Sequence, residues 1–351
     1  MKVKYLKFNT KRRFGVEIEL NRHLSQQGLR EVVGDVVGYD NTAIHGWGYT
    51  CNNTQWIIKP DSSCGDLGNK NKDGGGYEVA SAVGKGAKHL THIAKVTRAL
   101  QVSPAQTNKH CAFHCQVEIK DFSRDRAAIL LAYWCKIEKC MAQMVPRLRA
   151  KSKYCKPFTG TKGWPYLREI RYASDFWKST KLKGLAASDK RNSITLVNFQ
   201  RTLSTSYQWE NFHRPTVELR YPESSLRSYD TKNWTRLFVH FVESCNQRHF
   251  PNDLEPVGLR EMLIILGLKD DKRFAILSPG LFETKFWLLH RLNLYAKDKS
   301  LRSDVLEEAR LMNNDEIDWL FDFPKVTPPS VTKPKNRRTI KSKTLGVASH
   351  H

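Results

Sequence analysis

Residues 14–20 read Phe-Gly-Val-Glu-Ile-Glu-Leu, a period-two pattern that sorts onto the two faces of a β-strand and scatters around a helix. On a strand, Phe14, Val16, Ile18 and Leu20 face a core, while Glu17 and Glu19 share the opposite face. At a rise of about 3.3 Å per residue the two carboxylates lie roughly 7 Å apart. Each can then hold its own divalent ion, or both can flank one. An antiparallel sheet with one wet face alternates in the same way. This segment alone therefore establishes a strand and leaves its chemistry open.

Three more segments place polar chemistry on strand faces. In 113–118, His114, Gln116 and Glu118 oppose Phe113, Cys115 and Val117. In 216–221, Glu218 and Arg220 oppose Val217, Leu219 and Tyr221, and Glu78 lies within Tyr77-Glu78-Val79. If these faces line one sheet, the carboxylates repel one another unless cations neutralise them. Oxygen donors with a single imidazole favour Mg²⁺ or Mn²⁺ over zinc, and an arginine beside such ions clamps phosphate. The neighbours His110-Cys111 and His114-Cys115 look zinc-like, but on a strand they point to opposite faces and cannot all converge on one ion.

Along the remaining chain, residues 14–122 read as short strands and Gly/Asn-rich loops, the longest loop running from Gly65 to Gly76. Ser123 caps a predicted helix to about Val145, strands return at Ile194–Gln200 and Thr216–Tyr221, and four helices follow. These are Asp230–Gln247, Val257–Leu268, Gly280–Tyr295 and Ser303–Asn313. Strands followed by helices make the class α+β, with an antiparallel sheet backed by helices and a helical C-terminal part. At 351 residues the chain is long enough for one large domain or two.

The formal net charge of +23 implies an anionic partner, most often nucleic acid. Residues 147–191 hold 13 Lys or Arg against three acids, interleaved with Tyr, Phe and Trp. The tail beyond Phe323 adds seven Lys or Arg and no acid, and reads as disordered. The basic insertion is a groove for a polyanion, a solvated segment whose aromatics pack inward, or in part a seat for ATP. No stretch of 18 apolar residues is present, so no membrane span is predicted. Without an export signal, the eight cysteines read as reduced thiols in a cytoplasm. No GxxxxGK[ST] phosphate loop occurs.

The order of the short motifs carries a resemblance. Phe14 to Glu19 is followed by Trp56-x-x-Lys59-x-Asp61-x-Ser63, then Tyr77-Glu78-Val79-x-Ser81, Cys111-x-x-His114 and Thr216-Val217-Glu218-Leu219-Arg220. Over about residues 12–245 this resembles the amidoligase family of carboxylate–amine ligases with a glutamine-synthetase-like fold. The resemblance implies a catalytic domain over 1–255 containing the 147–191 insertion, and the residues beyond it read as a helical region at 256–323 and the basic tail at 324–351. It implies ATP and Mg²⁺ (or Mn²⁺) as cofactors, with Glu17, Glu19, Glu78, His114 and Glu218 holding the metal ions. Arg220 would grip the transferred phosphoryl group, and Lys59, Asp61 and Ser81 would meet substrate. Arg191 and Asn198 match a basic residue and an asparagine that precede the last acidic strand. Where the family often has His-x-His, this chain has His114-Cys115-Gln116, and Gln116 is a poor Mg²⁺ ligand better suited to contacting substrate or nucleotide. The implied activity is ATP-dependent amide formation between a carboxylate and an amine. With the basic segments it suggests modification of nucleic acid by an amino acid or amine. A non-catalytic nucleic-acid-binding protein on the same fold is the alternative.

Overall fold

The computed structural model describes residues 4–8, 11–21, 23–46, 54–64, 75–153, 155–160, 171–173, 175, 192–197, 215–270 and 275–312. The chain divides into a large unit, Met1–Leu311, and a second unit, Met312–His351. Beyond Met312 the second unit lies outside the described residues, as do most of the 147–191 insertion and the predicted basic tail. The loop expected at Gly65–Gly76 does too, except for Gly75 and Gly76.

The large unit is built on an eight-stranded, mostly antiparallel, open sheet. Its strands are β2 (Arg13–Leu20), β3 (Thr42–Ile44), β4 (Trp56–Asp61), β5 (Gly76–Ala80), β6 (Gly84–Lys85), β7 (Phe113–Glu118), β8 (Ile194–Val197) and β9 (Thr216–Leu219). Their spatial order is β3-β4-β5-β2-β7-β9-β8, with β6 paired to β2 beside this path. Among its described strands, β3 and β4 are the pair that runs parallel. A separate parallel pair joins β1 (Lys4–Leu6) to β10 (Ala275–Leu277).

Among the described residues the helices are α1 (Gln26–Val37), α2 (Gly86–Val102), α3 (Arg124–Met141), α4 (Arg147–Ala150), α5 (Ser228–Asn246), α6 (Leu259–Ile265), α7 (Pro279–Tyr295) and α8 (Lys299–Arg310). The alternation of β2 is realised: Phe14, Val16, Ile18 and Leu20 are buried. Val79, Phe113, Cys115, Val117, Val217 and Leu219 from neighbouring strands are buried with them. Each such side chain contributes about 1.5–3 kcal/mol relative to exposure. Helix α5 packs against β7, α2 and α3, so this apolar side is the helix-backed one.

The expectation of strands and loops alone between 14 and 122 is corrected by α1 and α2. Ser25 accepts a hydrogen bond from the Gly28 amide and caps α1, whose Leu29 and Val33 point inward. In α2, Leu90, Ile93, Val96 and Leu100 form a narrow apolar stripe, with Lys, His and Thr at the positions between. The stripe is too thin for composition to reveal, but its three-to-four spacing is helical. Ser123 caps α3 as expected, accepting from the Arg126 amide. That helix ends at Met141 and a 3-10 turn continues to Met144, while the four later helices differ from expectation by up to four residues at their ends.

Candidate active site

Strand register assembles the polar face. Across β4, β5 and β2, Lys59 lies opposite Glu78, and Glu78 opposite Glu19. Across β2, β7 and β9, Glu17 lies opposite His114, and Gln116 opposite Glu218. Residues directly opposite in a sheet share a face, so side chains from five segments of sequence form one row. Arg220 directly follows β9, two positions beyond Glu218, and Asp61 ends β4, two positions beyond Lys59.

The row is tightly bonded. His114 Nδ1 lies 3.0 Å from Glu17 Oε2 and 3.4 Å from Glu218 Oε1, while its Nε2 faces Glu19 Oε1 at 3.5 Å. Gln116 donates to Glu17 Oε1 at 2.8 Å, so it orients a carboxylate. Arg220 donates from Nη1 to Glu218 at 2.5 Å, and its buried Nε makes no hydrogen bond. The Lys59 ammonium sits 2.9 Å from Glu78. Glu19 accepts from the Ala112 amide at 2.6 Å.

A wet sheet face would expose these groups, yet Glu19 is 3 % exposed, Glu78 and Glu218 are each 5 %, and His114 is 2 %. Concentrating buried acids is costly unless positive charge joins them. The groups respond accordingly. Burial pushes Glu78 well above the usual carboxylate range, and the charge of Glu17 adds to it. Glu19 is also raised, chiefly by burial. Glu17 goes the other way: burial opposes ionisation, but the hydrogen bond and charge of His114, with Lys59 and Arg220, hold it down to about 2. Burial works against the Arg220 cation, and the surrounding Glu218, Glu17 and Glu19 more than restore it.

The donors fit a hard divalent cation. One ligand atom each from Glu17, His114 and Glu218 lies within 4.8 Å of the others. A second group with the same spacing joins Glu19 and Asp61 to Cys64, which the motifs did not flag. Asp61 accepts from the amide and hydroxyl of Ser63, both at 2.7 Å. Ser81 is committed to the backbone, accepting from the Val16 amide and donating to the Ala82 carbonyl, each at 2.9 Å. Arg191 and Asn198 lie outside the described residues.

Two supporting side chains escape motif reading. Arg149, buried in α4, donates to the carbonyls of Arg220 and Tyr221. Glu138, buried in α3, accepts from the Phe158 and Thr159 amides and from the Ser193 hydroxyl. The Ser193 carbonyl in turn accepts from the Arg220 amide at 2.9 Å. A cavity of about 740 Å³ bordered by Tyr133, Arg248, Ile264, Lys269 and Glu308 shares no residue with this row.

Over residues 10–242 the chain matches the family described as "Putative amidoligase enzyme". No curated protein matches it. Among the described residues, no helix is long and apolar enough to cross a membrane.

Proposed function

The chain belongs to this amidoligase family, and we propose that it is an ATP- and Mg²⁺-dependent carboxylate–amine ligase on a sheet of the glutamine-synthetase-like type. The observation that carries the reading is the buried row in which Glu17, Glu19, Glu78, His114 and Glu218 converge beside Arg220. In the proposed reaction a substrate carboxylate oxygen attacks the γ-phosphorus of ATP, the bond to the bridging oxygen breaks, and an acyl phosphate and ADP form. The amine nitrogen then attacks the acyl carbon, phosphate departs, and the nitrogen loses a proton to leave an amide.

Glu17, Glu218 and His114 would hold one Mg²⁺, with Glu19 and Glu78 available to a further position; bound Mg²⁺ would neutralise both the carboxylates and the phosphate oxygens. Gln116 keeps Glu17 in place from the neighbouring strand. Arg220 offers its spare Nε–H to the transferring phosphoryl oxygens, in surroundings that favour its charged form. Lys59 is a second cation for phosphate, reached by leaving Glu78. The carboxylate or amine is proposed to reside on a nucleic acid, which the 13 Lys or Arg of 147–191 and the seven of the tail support. Of the described Lys and Arg in that segment, Arg149 faces inward.

The test is ADP release across a panel of carboxylates and amines, free and nucleic-acid-borne. Glu17→Ala and Arg220→Ala are each expected to lower turnover by about 100–1,000-fold, the usual effect of removing one charge-stabilising group. Silence across the panel, with no nucleotide-induced thermal shift, overturns the ligase reading and leaves the binding protein as the alternative.

A further inference from the structure

We propose that Glu19, Asp61 and Cys64 form a second cation site of different chemistry, one that takes a thiophilic divalent ion of the Zn²⁺ class. The three ligand atoms lie within 4.8 Å of one another. Glu19 comes from the central strand β2, Asp61 ends β4, and Cys64 closes the 3-10 turn Ser62–Cys64 that follows. The seat for the thiol is built into the backbone. Gly76 lies opposite Asp61, and a Cβ there would fall 2.5 Å from Cys64 Cβ and 2.0 Å from the Leu20 carbonyl.

Both carboxylates are already oriented through one oxygen each. Glu19 Oε2 accepts from the Ala112 amide, and Asp61 Oδ1 from Ser63. The other oxygen of each remains to ligate, with its direction fixed by those bonds. A separate observation points to the same place. His114 is 2 % exposed, its Nε2 makes no hydrogen bond, and that nitrogen faces Glu19 Oε1 at 3.5 Å. Its other nitrogen is engaged by Glu17 at 3.0 Å, and a carboxylate behind the imidazole is the usual support of a metal-bound histidine. Nδ1 carries the proton in that arrangement, so with this site filled His114 ligates through Nε2 and supports the Glu17 cluster by a hydrogen bond.

The donor set is one sulfur, two carboxylate oxygens and a nearby imidazole. Mg²⁺ avoids thiolate and prefers six oxygens, whereas Zn²⁺ accepts four mixed donors. The adjoining Glu17 cluster contains no sulfur, so the two positions would sort cations by softness. Ligation requires the Cys64 thiol to give up its proton, and binding should release it to solvent.

The experiment is a Cd²⁺ titration of the metal-free full chain in excess Mg²⁺, read by the ultraviolet thiolate-to-cadmium charge-transfer band. The expected result is a saturable band that Zn²⁺ displaces and Mg²⁺ does not, accompanied by proton release. Cys64→Ser should abolish the band, and Cys111→Ser, at the neighbouring buried thiol, should retain it. Asp61→Asn keeps the thiol but should weaken Cd²⁺ by at least the roughly 10–100-fold seen on losing a supporting partner. It decides the matter if the serine variant misfolds. A band absent from wild type, removed by Mg²⁺, or undiminished in Cys64→Ser or Asp61→Asn overturns the proposal. None of these readouts uses ATP, so failure here is distinguishable from failure of the ligase reading.

Discussion

Arg149 is a cation used as scaffolding. Its guanidinium bonds the Arg220 and Tyr221 carbonyls just past the end of β9, while the Ser193 carbonyl accepts from the Arg220 amide. The backbone that aims Arg220 is thus held on both sides. Arg149→Met should unpair two carbonyls and let Arg220 drift, and a misplacement of about 1 Å can cost on the order of 100-fold. The expected outcome in steady-state ADP release is a fall in kcat of that order with little change in KM for ATP, partly restored by Arg149→Lys. Lost stability with unchanged kcat would make the residue purely structural. Sequence shows why this role is hard to see. A run of Lys and Arg has no periodicity to mark Arg149 as turning inward. Glu17, His114 and Glu218 were legible because a two-residue period fixes their face without any tertiary knowledge. Cys64 was not, because its meeting with Glu19 depends on β5 lying between β4 and β2.

At the level of elements, apolar spacing marks α3 and the four C-terminal helices, with a cap read only for α3, whereas α1 and α2 are missed. What spacing cannot show is how the C-terminal helices are tied together. Glu308 on α8 accepts from Lys269, just after α6, and from Lys285 on α7, both at 2.6 Å. Burial alone would raise the Glu308 carboxyl, and the two lysines bring it below its ordinary value. A depressed carboxyl contributes stability that is complete above the ordinary glutamate value of about 4.3 and is lost as pH falls through the lower folded value. Glu308→Gln is therefore expected to destabilise by about 1.5–3 kcal/mol at neutral pH, as for hydrogen bonds to charged groups. Denaturant unfolding followed over pH should show the gap from wild type closing in acid, below about pH 4. A gap that widens in acid would contradict the pairing.

For the whole molecule, charge is divided by location. The strand face concentrates buried carboxylates, while the insertion and tail hold 20 of the 58 Lys and Arg. The proposed nucleic-acid binding by these segments should weaken steeply with salt, with a slope of about −0.7 to −0.9 in log–log terms per neutralised phosphate. Fluorescence anisotropy with single-strand and duplex probes is expected to give several such units for the full chain, and a shallower slope for a chain ended after Met312. Affinity flat in salt would rule out phosphate neutralisation. Composition alone supplied the total charge, and the strand pattern supplied the acidic face. How deeply that face is buried could not be read locally, because it depends on which segments cover it.

The register of the sheet also sets a schedule. Glu17 and His114 meet across 97 positions of chain, so the pairing that unites them closes a long loop and belongs to the slow part of folding. Until then each carboxylate is solvated separately, and their mutual repulsion is felt only as the strands close. A divalent ion that recognises the closed arrangement acts on the finished fold and adds about 2.7 kcal/mol at a free concentration 100 times its Kd. For the proposed Mg²⁺, the main kinetic effect would then fall on the rate of unfolding, so that its supply would set how long the native sheet lasts.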